Sequence, residues 1–321
     1  MSMKKIYLYL LLVMVGSTLK AQVLQHRLDS LLQNDPMLKT SEVGISVFDL
    51  TTGKMLYGHQ DEKLYRPAST EKVVTSVTAL ATLGTDYTMD TRMQYTGQIE
   101  GDTLKGNLYL IGGFDPELMD EDLDSLVDVI AQSGIRYIAD TLVADVSMMD
   151  SVYWGSGWSW DDVPASFQPY MSPLMLNRGC VDVTVIPTVK DSVPDVVCVP
   201  ASDYYQVDND GVSHNPQAGR LQITRNWLHN GNRIHISGNV AKETKRTLSI
   251  YNSKEFFFRT FAQRLKEKGI GFSRTAFADC PEPDSLTVIT PLFTLERPIE
   301  KVLKQMMKES DNLCAESMFY H

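Results

Sequence analysis

The stretch Arg66-Pro67-Ala68-Ser69-Thr70-Glu71-Lys72-Val73-Val74 decides how this chain is read. Pro67 suits a first helical turn, where a fixed φ and a missing N–H cost nothing. Val73, Val74, Val77, Leu80 and Leu83 recur at helical spacing and predict a buried face, and Gly84 stands where the helix should end. Ser69 and Lys72 lie three residues apart, hence on one face. A serine hydroxyl is a weak nucleophile at neutral pH and needs a neighbour to take its proton. A lysine amine can do so when desolvation or nearby positive charge favours its neutral form. At a helix start the dipole favours negative charge and backbone N–H groups are free. Spacing by itself does not decide the matter, because Ser17 and Lys20 repeat it. A capping serine beside a solvated lysine would read the same way.

Upstream, Gln22 to Leu38 predicts an amphipathic helix with Val23, Leu24, Leu28, Leu31 and Leu32 on one side. Glu42 to Leu50 alternates like a strand, Thr51-Thr52-Gly53-Lys54 reads as a turn, and Met55 to His59 as the returning strand. Downstream, short strands run from Met93 to about Leu110, and Leu118 to Ser133 reads as a helix. A β-rich stretch covers Asn177 to Val240. Phe256 to Gly269 is helical, with Phe257, Phe261 and Leu265 on one stripe. Ile299 to Met307 is a helix that Glu309-Ser310-Asp311-Asn312 interrupts before another begins at Leu313. The change near Met93 and the return near Pro291 suggest an insertion inside one domain.

Composition bounds the class. The chain has 321 residues, 43% hydrophobic and 22% charged, with a net charge of -10. Residues 1 to 21 hold three lysines and no acid, leaving 27 basic against 40 acidic residues, or -13, in the remainder. Such a surface argues against nucleic acid or an anionic membrane as partner. Met1 to Lys5 is basic, Ile6 to Val15 is an apolar run of ten, and Leu19-Lys20-Ala21 offers a small residue at a cleavage point. This pattern predicts a signal peptide over 1–21, export to the periplasm, and no stable membrane span after cleavage. Export permits disulfides. Cys180 and Cys198 flank what reads as a hairpin centred near Lys190, where facing positions could bring them within bonding distance, so bridged and free readings stand equally open, while Cys280 and Cys314 are expected to be free.

Ser310-Asp311-Asn312 is the second candidate. A hydroxyl and an amide two residues apart in an inter-helix loop can face one cavity, the first relaying a proton and the second binding a peptide carbonyl. Ser213/Asn215 and Ser237/Asn239 show that Ser-x-Asn is common by chance. Asn312 can equally be read as the cap of the helix beginning at Leu313, with Glu316 in its first turn. No H-E-x-x-H, no G-x-S-x-G and no Cys/His cluster occurs, and none of the six histidines has a telling context. Metal hydrolysis and a Ser-His-Asp hydrolase are therefore disfavoured, and no metal or other cofactor is expected.

Taken together, the Pro-Ala-Ser-x-x-Lys helix start after a hairpin and the later run Met307 to Glu316 resemble the penicilloyl serine transferases. Gly112-Gly113-Phe114-Asp115-Pro116, the block Gly157 to Asp162, Ser172-Pro173-Leu174-Met175-Leu176-Asn177 and Lys268-Gly269-Ile270 narrow the resemblance. They are similar to the class C penicillin-binding proteins, the D-alanyl-D-alanine carboxypeptidase/endopeptidases, over about residues 25 to 321. The resemblance implies an α+β, transpeptidase-like domain of antiparallel sheet and helices, formed by 22–92 and 286–321. It implies two mainly β insertions, one over 93–175 and 240–285 and the other over 176–239. It casts Ser69 as acyl-accepting nucleophile, Lys72 as its base, Ser310 as proton relay and Asn312 as ligand of the substrate carbonyl. Trp158 and Asp161 would form a pocket for the free amine of a peptidoglycan stem peptide, although a packed aromatic and a loop carboxylate read equally well there. Asp115 before Pro116 reads as a turn residue.

The implied substrates are peptidoglycan stem peptides, with β-lactams as covalent inhibitors. The family also needs a Lys-Thr-Gly or His-Thr-Gly strand, and no K-[ST]-G or H-[ST]-G occurs in these residues. The chain therefore reads as a C-terminally truncated member with an exposed apolar sheet edge and a weakened or absent activity. The alternatives are a catalytically dead envelope protein that binds wall peptides, or a serine β-lactamase. The large insertion counts against the latter.

Overall fold

A computed structural model describes residues 22–278 and 288–321. The predicted signal peptide and Cys280 lie outside them. The chain divides into two compact units, one ending at Ala68 and one beginning at Ser69.

In the first unit, residues 22–34 form helix α1 and Pro36–Thr40 helix α2. One helix to Leu38 was expected. The break comes at Asp35, whose carboxylate accepts from the N–H groups of Met37 and Leu38 and caps a new helix with Pro36 in its first turn. Strands β1 (Ile45–Asp49) and β2 (Lys54–His59) pair antiparallel as the alternation predicts. Gly53, at φ 65°, makes their turn. Tyr57 is buried and donates to Asp29 at 2.7 Å, tying the hairpin to α1.

A 3-10 turn over Ala68–Thr70, whose last two residues belong to the second unit, leads into α3 (Glu71–Leu83). The expected buried face of α3 is a correction: Val73, Val74, Val77 and Leu80 are 40–65% exposed. The covered stripe is Lys72, Ser76, Ala79 and Leu83, also at helical spacing. Ala79 and Leu83 pack with Met89, Ile299, Val302 and Met306. Small residues let neighbouring helices approach on that side, and the branched valines are left outward.

Strand β3 (Thr88–Thr96) is followed by β4 (Gln98–Glu100), β5 (Thr103–Lys105), β6 (Leu108–Ile111), α4 (Asp120–Gln132) and β7 (Tyr137–Asp145). β8 (Cys180–Ile186) and β9 (Asp195–Val199) form the predicted hairpin; β10 (Gln206–Ser213), β11 (Gln222–Arg225), β12 (Arg233–Val240) and β13 (Thr244–Ser249) follow. α5 (Ser253–Glu267) leads to β14 (Gly271–Ala278), and β15 (Ile289–Pro298) runs into α6 (Ile299–Lys308) and α7 (Asn312–Phe319). A seven-stranded sheet is ordered β15-β3-β6-β7-β5-β4, with β14 paired to β7. Two three-stranded sheets, β13-β8-β9 and β10-β12-β11, complete an α+β architecture. The main core contains Phe257, Phe261 and Leu265, the predicted stripe of α5, packed with Leu123, Leu126 and Ile130 of α4. Burying each such side chain contributes about 1.5–3 kcal/mol.

The cysteine expectation fails on register. In the β8–β9 pair Cys198 stands opposite Val183, not Cys180, and Cys180, Cys198 and Cys314 are all free thiols. Burial pushes the Cys180 thiol up to about 12, so it is an inert packing group.

The Gly112-Gly113-Phe114-Asp115-Pro116 turn is held by more than its sequence suggests. A Cβ at Gly113 would strike the Asp90 backbone carbonyl. Asp115 accepts the Glu117 N–H at 2.8 Å, as a turn residue does. It is also buried, and Arg297 at the end of β15 reaches it at 2.9 Å and Asp122 at 2.6 Å. Burial pushes the Asp115 carboxyl up to about 6, against the pull of Arg297. Its folded value thus lies above the unfolded value of 3.8. The group's contribution to stability is complete below the lower value and is lost as pH rises through the upper one. Denaturant unfolding should therefore give the wild type more stability at pH 5 than at pH 7 relative to Asp115→Asn. An unchanged difference between the two proteins across that range would contradict the assignment.

Candidate active site

Lys72 connects the two sequence motifs. It is 8% exposed, and its Nζ donates to Ser69 Oγ at 3.3 Å and to Asn312 Oδ1 at 2.7 Å. The helical spacing of Ser69 and Lys72 was legible in sequence. The second bond joins residues 240 positions apart. It requires α3 to lie against α6 and α7, which the packing of Ala79, Val302, Met306 and Cys314 secures. A neutral lysine amine at the same distance would accept the serine proton, so the geometry serves a nucleophile with its base.

Asn312 does not take the alternative role of helix cap. Asp311 caps α7, its carboxylate accepting the Cys314 N–H at 2.9 Å, and Asn312 is the first helical residue. Its side chain is thereby released for other work: Oδ1 faces Lys72, while Nδ2 donates to the Phe167 carbonyl at 3.1 Å. Ser310 precedes it with φ 57°, a left-handed conformation unusual for serine, and is exposed. Among the described residues its hydroxyl makes no hydrogen bond to Ser69 or Lys72. Glu316, one turn along α7 from Asn312, is half-buried. Burial raises its carboxyl above the ordinary range, and the Lys72 charge pulls it back.

A cavity of about 390 Å³ opens beside the loop, with Phe167, Arg178, Asp182, Lys245, Ser310 and Asn312 in its wall. Trp158 and Asp161 are not in that wall. Trp158 packs beside Trp154, with ring centroids 5.4 Å apart, and against the cluster of Phe114, Met171, Met175 and Leu313. That contact favours the packed-aromatic reading. Asp161 sits exposed in a 3-10 turn over Trp160–Asp162. The loop does reach the site indirectly: Gln168 donates to the Ser159 carbonyl at 2.9 Å, and its neighbour Phe167 supplies the carbonyl that receives Asn312. Sequence reasoning missed Phe167, because a backbone carbonyl leaves no trace in residue identity. It also missed Arg178, which follows directly on the Ser172–Asn177 block.

The comparisons with known proteins agree with this fold. Residues 24–321 match the D-Ala-D-Ala carboxypeptidase 3 (S13) family, and the chain belongs to it. It is 26% identical over 284 residues to the D-alanyl-D-alanine carboxypeptidase DacB of Haemophilus influenzae, covering 87% of this chain and 58% of that relative. It is 31% identical over 196 residues to the D-alanyl-D-alanine carboxypeptidase of Actinomadura sp. (strain R39), covering 59% of this chain and 36% of that one. The chain thus spans 58% of the length of the first relative and 36% of that of the second, over the matched stretches. The crystal structure of penicillin binding protein 4 (dacB) from Haemophilus influenzae aligns with a TM-score of 0.75 at 24% identity, over 91% of this chain and 64% of that one. The implied transpeptidase-like fold is therefore present.

Proposed function

We propose that this chain carries the acylation centre of an exported serine-type D-alanyl-D-alanine carboxypeptidase/endopeptidase acting on peptidoglycan stem peptides. The observation that carries the reading is the bond pair made by Lys72, to Ser69 on one side and to Asn312 on the other. Ser69 Oγ attacks the carbonyl carbon of the D-Ala-D-Ala bond, and its proton passes to Lys72 Nζ. The Ser310 hydroxyl relays a proton to the departing amine, leaving an acyl ester on Ser69 that water hydrolyses. Asn312 aligns the substrate carbonyl. On the family pattern alone Asp161 is assigned to the substrate's free amine, while the same assignment for Trp158 competes with its packing against Trp154 and the Phe114 cluster. The basic N-terminus followed by an apolar run supports export to the periplasm, and among the described residues no helix is long and apolar enough to cross a membrane. The pairing of β3 with β15, where the chain departs near Met93 and returns near Pro291, supports an insertion over 93–285 within one catalytic domain.

The reaction also needs donors for the oxyanion and a cation for the substrate carboxylate, which the family pattern puts on a K-T-G or H-T-G strand. No such triplet occurs in these 321 residues. Each oxyanion donor is worth about 10²–10³ in rate. The reading set against the first is a protein that binds wall peptides without reacting. Incubation with a fluorescent penicillin and peptide mapping by mass spectrometry separates the two. The first reading expects one penicilloyl group on the peptide containing Ser69. Stem-peptide binding with no adduct after prolonged exposure supports the second, and an adduct on any other residue defeats the first.

A further inference from the structure

Among the described residues the Ser310 side chain makes no hydrogen bond, yet the loop around it is sharply bent. Three non-glycine residues near it are left-handed: Asn177 at φ 48°, Arg178 at φ 57° and Ser310 at φ 57°. Such conformations persist only where the surroundings over-determine them. Here a chain of charged groups does so. Glu117, in the turn after β6, is buried and accepts from Arg178 Nε at 2.9 Å and Nη2 at 2.6 Å. The same Arg178 Nε lies 3.6 Å from Asp311 Oδ2. The other oxygen of Asp311 accepts the Cys314 N–H at 2.9 Å. The backbone of Asn177 is pinned in turn by its N–H to the Leu118 carbonyl, at 3.0 Å.

We propose that Arg178 is a positioning residue for the reaction: it ties the Ser310-Asp311-Asn312 loop to Glu117 and so aims Asn312 at Lys72. The inference rests on the acylation reading above. Among the described residues Arg178 makes no hydrogen bond or ion pair to Ser69 or Lys72; it acts through Asp311. Three segments far apart in sequence converge on it, so the loop's orientation depends on the inserted region and not only on α6 and α7. A guanidinium suits the post because its planar fork serves two carboxylates at once, which an ammonium does not do with the same geometry.

The test uses the full chain and two readouts. In Arg178→Ala, the penicillin acylation rate constant at saturation is expected to fall about tenfold to a hundredfold, since misplacement of about 1 Å carries a cost of that order. Apparent affinity should stay within about twofold, and Arg178→Lys should recover part of the rate. Independently of acylation, the Cys314 amide should exchange hydrogen about tenfold faster, while amides in the middle of α5 keep their protection. Unchanged acylation, or unchanged Cys314 protection, in a folded variant overturns the proposal. A variant that does not fold is replaced by Glu117→Gln, which keeps shape and one acceptor and carries the same expectations at smaller size. If the wild type takes up no penicillin but Cys314 behaves as expected, the acylation reading falls and the tether stands.

Discussion

A Ser69→Ala protein is expected to form no penicilloyl adduct, and a Lys72→Ala protein to acylate about 10²–10⁴-fold more slowly than wild type, the range a positioned general base contributes. The first substitution removes the atom that would carry the ester. The second removes the group that would take the hydroxyl proton, and it leaves Asn312 Oδ1 without the donor now 2.7 Å away. Lys72→Arg distinguishes chemistry from packing. Arginine keeps the positive charge and the reach, but it does not give up its proton in a protein. If Lys72 only braced Asn312, the arginine variant would recover most of the rate; as a base it should not. Time courses with a fluorescent penicillin, beside thermal unfolding to verify the fold, decide the point. Acylation of Lys72→Ala within about tenfold of wild type would sink the assignment.

Arg297→Ala is expected to cost about 3–5 kcal/mol in denaturant unfolding, the range for breaking a buried ion pair from one side. Arg297 sits at the end of β15 and is itself buried, with Asp115 and Asp122 as its partners. Removing it strands the Asp115 carboxylate, whose side chain is 1% exposed, in an interior that cannot solvate it. The site should feel the change, because Ile299, directly after β15, packs in the cluster that seats α3 and α7. Arg297→Met combined with Asp115→Asn should recover much of the loss, since neither buried group then carries an unpaired charge. A cost below about 1 kcal/mol for Arg297→Ala would mean that water reaches Asp115 after all.

Much of the fold was legible because it is local. Alternation over Glu42 to Leu50, followed by the turn at Thr51-Thr52-Gly53-Lys54, marked the hairpin, and the stripe of Phe257, Phe261 and Leu265 marked α5. The helix breaks at Gly84 and around Ser310 follow from residues that stop a helix or cap the next. The errors have one cause. Helix α3 carries apolar or small residues on two stripes, and periodicity cannot say which one is covered. Asp311 and Asn312 are both good caps, and only the aim of their side chains separates them. Cys180 and Cys198 lie on paired strands, but register is a property of the pair and not of either strand.

The sequence by itself therefore determined most elements of this protein and placed Ser69 and Lys72 on one face, because both follow from local spacing. Tertiary structure alone decided that Lys72 meets Asn312, that Asp311 and not Asn312 caps α7, and that Arg178 lies between Glu117 and Asp311. Those contacts join segments up to 240 residues apart. They arise where buried polar groups must find partners, and residue order does not encode which partner lies within reach.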